Sequence, residues 1–231
     1  MPDTVQIKKK ALELGAHLAG VADLQRVAGI PTVPAGLLSP YTRAVVMAVA
    51  VSPAVFERLE DQPTSLYAHH YQVVNALLDH IALLLQGEML RRGFRALAIP
   101  ASQRADDVRL MGHVSHKALG KAAGLGWQGK SLLLVTPAYG PRVRLASVLT
   151  NAPLEADPLL PNRCGSCRKC QEACPVQAIR GATWEDHPPS RDDALELAKC
   201  AGQLGDFARL PGIGKSICGI CIKACPWGKS R

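Results

Sequence analysis

Eight cysteines, all confined to positions 164–225 of a 231-residue chain, dominate its chemistry. The run Cys164-Gly-Ser-Cys167-Arg-Lys-Cys170-Gln-Glu-Ala-Cys174-Pro175 spaces four thiols as C-x2-C-x2-C-x3-C-P. Cys218-Gly-Ile-Cys221-Ile-Lys-Ala-Cys225-Pro226 repeats the ending with one thiol fewer. A run of the first kind holds a 4Fe-4S cubane by three cysteines on a tight loop, while its fourth cysteine serves a second cluster. Cys200 is the remaining candidate for the corner that the second run lacks. Exchange of the fourth cysteines then assigns Cys164, Cys167, Cys170 and Cys225 to one cluster, and Cys174, Cys200, Cys218 and Cys221 to the other. No cysteine is left over. Structural zinc is the competing reading, because CxxC pairs are common zinc ligands. Two C-x3-C-P endings and four thiols packed into one short run favour the cubanes. Two clusters bridged in this way lie within tunnelling reach and make this part of the chain a wire for electrons.

A second feature is Gly124-Leu-Gly126-Trp127-Gln-Gly129-Lys130-Ser131, which satisfies both GxGxxG and GxxxxGKS. Either pattern binds phosphate only when a strand precedes the glycines and a helix follows, so that the anion sits on the helix N-terminus. Here the order is reversed, with a helical pattern over residues 115–123 and a strand-like one over 132–135, so a nucleotide site is set aside. The later Gly212-Ile-Gly214-Lys215-Ser216 lacks the first glycine, whose place Arg209 occupies. What such glycines retain is the freedom to bring backbone close to a large flat ligand.

The elements that must position these groups follow from periodicity. Val5, Ala11, Leu12 and Leu14 recur at helical spacing over residues 4–17, and 17–24 reads as a strand. The continuous apolar run 44–51 predicts a strand covered on both faces. Val73, Val74, Leu77, Leu78, Ile81, Leu84, Leu85 and Leu90 predict one long helix over 67–92, with His69, His70 and His80 on or near its face. Residues 94–99 predict the next strand, and 131–136 with 142–150 predict two strands joined by a turn at 137–141. The fold expected is α+β: residues 1–155 with a mixed or antiparallel sheet, a proline-rich boundary, and residues 156–231 built around the clusters.

Composition is that of an ordinary globule, 48% hydrophobic and 20% charged. The formal net charge of +8 falls to about +4 once eight thiolates carry two oxidised cluster cores. That value permits a nucleic-acid partner without demanding one. The first ten residues precede an amphipathic pattern rather than an apolar leader, and the longest uninterrupted apolar run is too short for a bilayer. A cytoplasmic protein with no membrane partner is the expectation.

Ala123-Gly-Leu-Gly-Trp-Gln-Gly-Lys130, the strand pair ending Leu149-Thr-Asn-Ala-Pro-Leu154, the first cysteine run, Cys200 and the closing Cys225-Pro-Trp227 together resemble epoxyqueuosine reductase. The likeness covers most of the chain and is dense from about His113 to Trp227. It implies a cobalamin-dependent iron-sulfur reductase, related to reductive dehalogenases, that acts on a modified tRNA base. It implies further a nitroreductase-like corrinoid-binding domain followed by a two-cluster ferredoxin-like module, fed by an electron donor such as a ferredoxin or flavodoxin. By the same resemblance Ser115, Gly124, Gly126, Trp127, Gly129, Lys130 and Tyr139 would touch the corrinoid. The chain also departs from that family. Its proton-donating aspartate aligns with the segment Leu110-Met-Gly-His113, where no acid stands, and no counterpart is seen of the helical-repeat extension that embraces tRNA. The expectation is a catalytic core acting on a small or nucleoside-like substrate, with tRNA as a further partner.

His113 and His116 stand where the missing acid would be, and either imidazole is a candidate catalytic proton donor. The alternative is that one of them caps or packs the helix beginning near Ser115, itself a candidate N-cap. Asp106 and Asp107 are alternative acids, though adjacent carboxylates in a polar stretch suit a solvated loop. Trp127 and Tyr139 suit either corrin stacking or the core. Arg142 and Arg144 alternate with apolar neighbours, which reads as a solvated sheet face by default and as a cofactor anchor otherwise. Three functions stay open: a reductase with its own corrinoid, an electron-transfer or activator protein without one, and a basic RNA-binding protein with structural clusters.

Overall fold

The computed structural model describes residues 3–228. Its secondary structure runs α1 (Thr4–Glu13), β1 (Leu18–Asp23), β2 (Arg43–Ala50), α2 (Pro53–Glu57), α3 (Ser65–Arg91), β3 (Ala96–Ile99), α4 (His116–Ala122), β4 (Trp127–Gln128), β5 (Leu134–Val135) and β6 (Val143–Thr150), followed by four short or medium helices, α5 (Lys169–Glu172), α6 (Arg191–Ala194), α7 (Leu197–Ala208) and α8 (Ile220–Ala224).

Two compact units emerge. The first takes residues 1–50, 74–126 and 144–160. Its four-stranded sheet has the order β1-β2-β6-β3. β1 runs antiparallel to β2, with Leu18 opposite Ala48, and β3 antiparallel to β6, with Ala96 opposite Thr150. Every residue from Ala44 to Val49 is buried, so β2 is the doubly covered strand its apolar run predicts. Leu78, Ile81, Leu85 and Met89 of α3 are wholly buried, each stabilising the unit by about 1.5–3 kcal/mol. α3 is long and apolar enough to cross a bilayer, but its polar side chains reveal another use. Asp79 accepts the N–H of Ala101 and Gln86 that of Ala98, both at 2.6 Å, fastening the helix along β3.

The second unit takes residues 51–73, 127–143 and 161–231. The division therefore differs from a single cut after residue 155. Residues 156–160 stay with the first unit because Asp157 is tied to β1: its carboxylate accepts from Val21 N at 2.8 Å and from Lys8 Nζ at 2.6 Å, while its own N–H reaches the Val21 carbonyl. In the opposite direction, the β4–β5 ribbon and the α2 region join the cysteine-bearing segment. The expected hairpin of 131–136 with 142–150 does not form. β5 is two residues long and pairs back onto β4, and a tight Thr136–Gly140 bridge sends the chain away before β6 begins.

Candidate metal centre

The loop that starts the first cysteine run is held by a residue two positions ahead of it. The Asn162 side-chain oxygen accepts Cys164 N–H at 2.9 Å, and its amide nitrogen donates to the carbonyls of Gln128 and Trp184, each at 2.9 Å. Lys130, only 6% exposed, reaches the Cys167 carbonyl at 3.1 Å. Past the bend at Pro175, the Cys174 sulfur accepts the Ala178 N–H at 3.3 Å. The second run is steadied from β6's leading edge. Arg142, 3% exposed, donates to the carbonyls of Ile222 at 3.3 Å, Cys225 at 2.9 Å and Trp227. These carbonyls belong to the C-terminal end of α8 and the turn beyond it, where a helix leaves acceptors unpaired and favours a cation. Gly219, at φ +87°, opens α8 against Leu59 and Tyr67, where a Cβ would come within 2.7 Å.

All eight thiols are partly buried and none forms a disulfide. Their mutual electrostatics divide them into two neighbourhoods. Cys170 is pushed up to about 11, first by burial and then by Cys164, Cys225 and Cys167. Cys225 is raised by burial and by Cys164 and Cys167, with the Trp227 N–H and Arg142 opposing. Cys218 is raised by burial, then by Cys200 and Cys174. Cys221 is driven higher still by burial and by Cys218, Cys200, Cys170 and Cys174. Cys221 also feels Cys170, a member of the other neighbourhood. Among the described residues, no three His, Cys, Asp or Glu side chains gather around a single ion.

The residues proposed from sequence for the corrinoid are mostly spent on packing. At Gly124, φ +67°, a Cβ would stand 2.3 Å from the Pro158 carbonyl oxygen, and at Gly129 it would meet Val135 at 2.7 Å. Gly126 is buried in the same stretch. Trp127 is 1% exposed and meets Trp227 edge to face, with ring centroids 4.8 Å apart. Lys130 serves the cysteine loop, and Tyr139 lies in the turn whose Thr136 hydroxyl accepts its N–H at 3.1 Å. Ser115 is the N-cap of α4, accepting the Ala118 N–H. Gly126, Trp127, Gly129 and Lys130 are buried, while Ser115, Gly124 and Tyr139 are half-buried.

The two histidines separate. His116 donates Nε2–H to the Pro100 carbonyl at 3.0 Å, so its Nδ1 accepts from the Ser147 hydroxyl at 2.9 Å. Burial lowers its pKa to about 4, with the Arg144 charge adding to the effect. Both hydrogen bonds and the lowered pKa favour the neutral imidazole, which counts against a role as proton donor. His113, half-buried, donates Nδ1–H to the Val33 carbonyl at 2.7 Å. Asp106 is bound by Arg109 through backbone and side chain, which holds its carboxyl below the usual range. Asp107 is 88% exposed beside Arg104. Arg142 corrects the sheet-face reading, and Arg144 donates to Asn75 at 3.0 Å.

Residues 163–228 match the family described as a 4Fe-4S double cluster binding domain. An epoxyqueuosine reductase of Listeria monocytogenes is 39% identical over 98 residues, covering 40% of this chain and 26% of its own. One from Synechococcus sp. strain CC9605 is 35% identical over 167 residues, covering 68% and 46%. The chain is a relative of the epoxyqueuosine reductases. Its match spans about a quarter to a third of the first such reductases' length. In solved structures the fold is shared with an epoxyqueuosine reductase bound to a tRNA-Tyr stem loop, at a TM-score of 0.63 and 24% identity, covering 98% of this chain and 65% of that one. It is also shared with a B12-dependent reductive dehalogenase, at 0.72 and 22%, covering 97% and 31%.

Proposed function

We propose that this chain is an iron-sulfur reductase that takes electrons one at a time from a ferredoxin or flavodoxin in the cytoplasm. They pass through a cluster on Cys164, Cys167, Cys170 and Cys225 and one on Cys174, Cys200, Cys218 and Cys221. The observation that carries this reading is a set of eight part-buried thiols, none of them in a disulfide, on a segment that matches a double-cluster domain. Burial raises the thiols of Cys170, Cys218, Cys221 and Cys225, so their ionisation calls for a compensating cation, which an iron-sulfur core would supply. Asn162, Lys130 and Arg142 act on the ligand loops, setting their shape by bonding to backbone.

The terminal acceptor in this proposal is a corrinoid, which would supply a strongly reducing metal centre. Its support is the fold shared with the B12-dependent dehalogenase; Gly126, Trp127, Gly129 and Lys130 of the glycine segment are buried, and no step is assigned through the cofactor. The substrate class is a nucleoside-like or small molecule, with tRNA favoured by the stem loop in the solved relative. In this reading His113 is the candidate proton donor, held by its Nδ1–H bond to the Val33 carbonyl. The burial of Trp127, Gly129 and Lys130 favours a second reading, an electron-transfer or activator protein that reduces a partner's cofactor.

Anaerobic purification decides the first step: brown protein with a broad absorption near ~400 nm and about eight irons per chain is expected. Colourless, zinc-loaded protein would refute it. Titrating cobalamin into the iron-loaded protein then separates the two readings. A changed cobalt(II) EPR spectrum at micromolar corrinoid supports the reductase with its own corrinoid, and an unchanged one leaves the carrier.

A further inference from the structure

Among the described residues, two buried side-chain polar atoms have no hydrogen-bond partner, and both are indole nitrogens of the second unit: Trp127 Nε1 and Trp184 Nε1. An indole nitrogen can only donate, and leaving such a donor buried and unpaired costs about 1–3 kcal/mol.

The surroundings of Trp184 indicate its acceptor. Its ring packs on a small core of Leu132, Ala178, Ile179, Ala194 and Leu195, and the same core carries the thiols of Cys170, Cys174, Cys200 and Cys221 against its surface. Three of those four thiols belong to the second quartet. Two of the core's five backbone carbonyls are already engaged: the Ala178 carbonyl takes Glu196 N–H at 2.8 Å and the Ala194 carbonyl takes Arg180 N–H at 3.0 Å. The Trp184 carbonyl itself takes Asn162, which fixes the residue beside the Cys164 loop. Sulfur is the acceptor that this neighbourhood has in quantity.

We propose that Trp184 Nε1–H donates to a sulfur of the cluster on Cys174, Cys200, Cys218 and Cys221 and raises that cluster's reduction potential, an inference that rests on the two-cluster reading above. One electron added to a cubane increases the negative charge on its sulfurs. A donor aimed at them therefore stabilises the reduced state more than the oxidised one, and hydrogen bonding to sulfur is an established lever on potential. Trp184 acts through the cluster as a positioning residue and exchanges no electron itself.

Trp184→Phe keeps a ring on the core and removes the donor. Iron stays at about eight per chain, and an EPR-monitored redox titration shows one cluster harder to reduce while the other is unmoved. The expected effect on its reduction equilibrium is about threefold to tenfold, tenfold corresponding to ~59 mV for one electron. Full iron with both potentials unchanged would overturn the inference while leaving the clusters in place. Should the variant lose iron, the wild-type protein with 15N-labelled tryptophan gives the answer by electron-nuclear double resonance of the reduced cluster. An exchangeable deuteron coupled together with an indole 15N supports the bond, and the absence of both overturns it. Wild-type protein that takes up no iron overturns this inference and the cluster reading alike.

Discussion

At His116 the imidazole spends its one proton on the Pro100 carbonyl and its lone pair on Ser147, so protonation would break a bond and bury a charge. With a folded pKa of about 4 against 6.5 for a free histidine, about one molecule in a thousand carries the imidazolium at neutral pH. The unfolded chain takes up the proton first. Stability is therefore fully present above pH 6.5 and declines as the pH falls toward 4, by up to about 1.4 kcal/mol per pH unit. Nitrogen NMR is expected to report a neutral Nε2–H tautomer for His116 from pH 8 down to about 5; a midpoint above 6 would restore it as a proton donor. Sequence placed both histidines beside the vacant acid position, but the partner that distinguishes them, Ser147, is 31 residues away. Asn162 was missed for a related reason: a single asparagine ahead of a cysteine run carries no periodic signal, and its role comes from two carbonyls that arrive from Gln128 and Trp184.

Elements with strong local periodicity, β2, α3 and α4, lie within two residues of the positions their apolar patterns predict. Residues 131–136 do not follow their pattern, because alternation states that a segment is extended and leaves its partner open; the Gly129–Leu132 turn pairs it backward onto β4. Arg142 shows the same limit. Its alternation suggests a wet face, yet its acceptors lie 80 to 85 residues further along the chain. The guanidinium fork spans three carbonyls that a lysine ammonium would not satisfy together. Arg142→Lys is expected to cost about 1–3 kcal/mol, read as a lower denaturant midpoint, and to speed iron loss to a chelator. Unchanged iron release would show that α8 holds Cys225 without this clamp.

Across the whole chain, the double-cluster segment was legible because thiol spacing is itself the chemical instruction, while the discontinuous second unit was not, since nothing local in residues 51–73 or 127–143 marks them as its walls. The exchange of ligands gives a direct test. Cys200→Ser and Cys225→Ser should each damage a different cluster, leaving about four irons and one intact EPR spectrum in each case, with the two spectra distinct. Identical spectra would mean that the pairing of corners is wrong. The interleaving also bears on how the protein matures. Lys130 and Arg142 are translated well before the last cysteine and grip the loops on which the thiols sit. A peptide excised at residue 156 would carry every sulfur yet lack these two cations and the β4–β5 ribbon, and the cell's assembly machinery would find a slack recipient rather than a preshaped one.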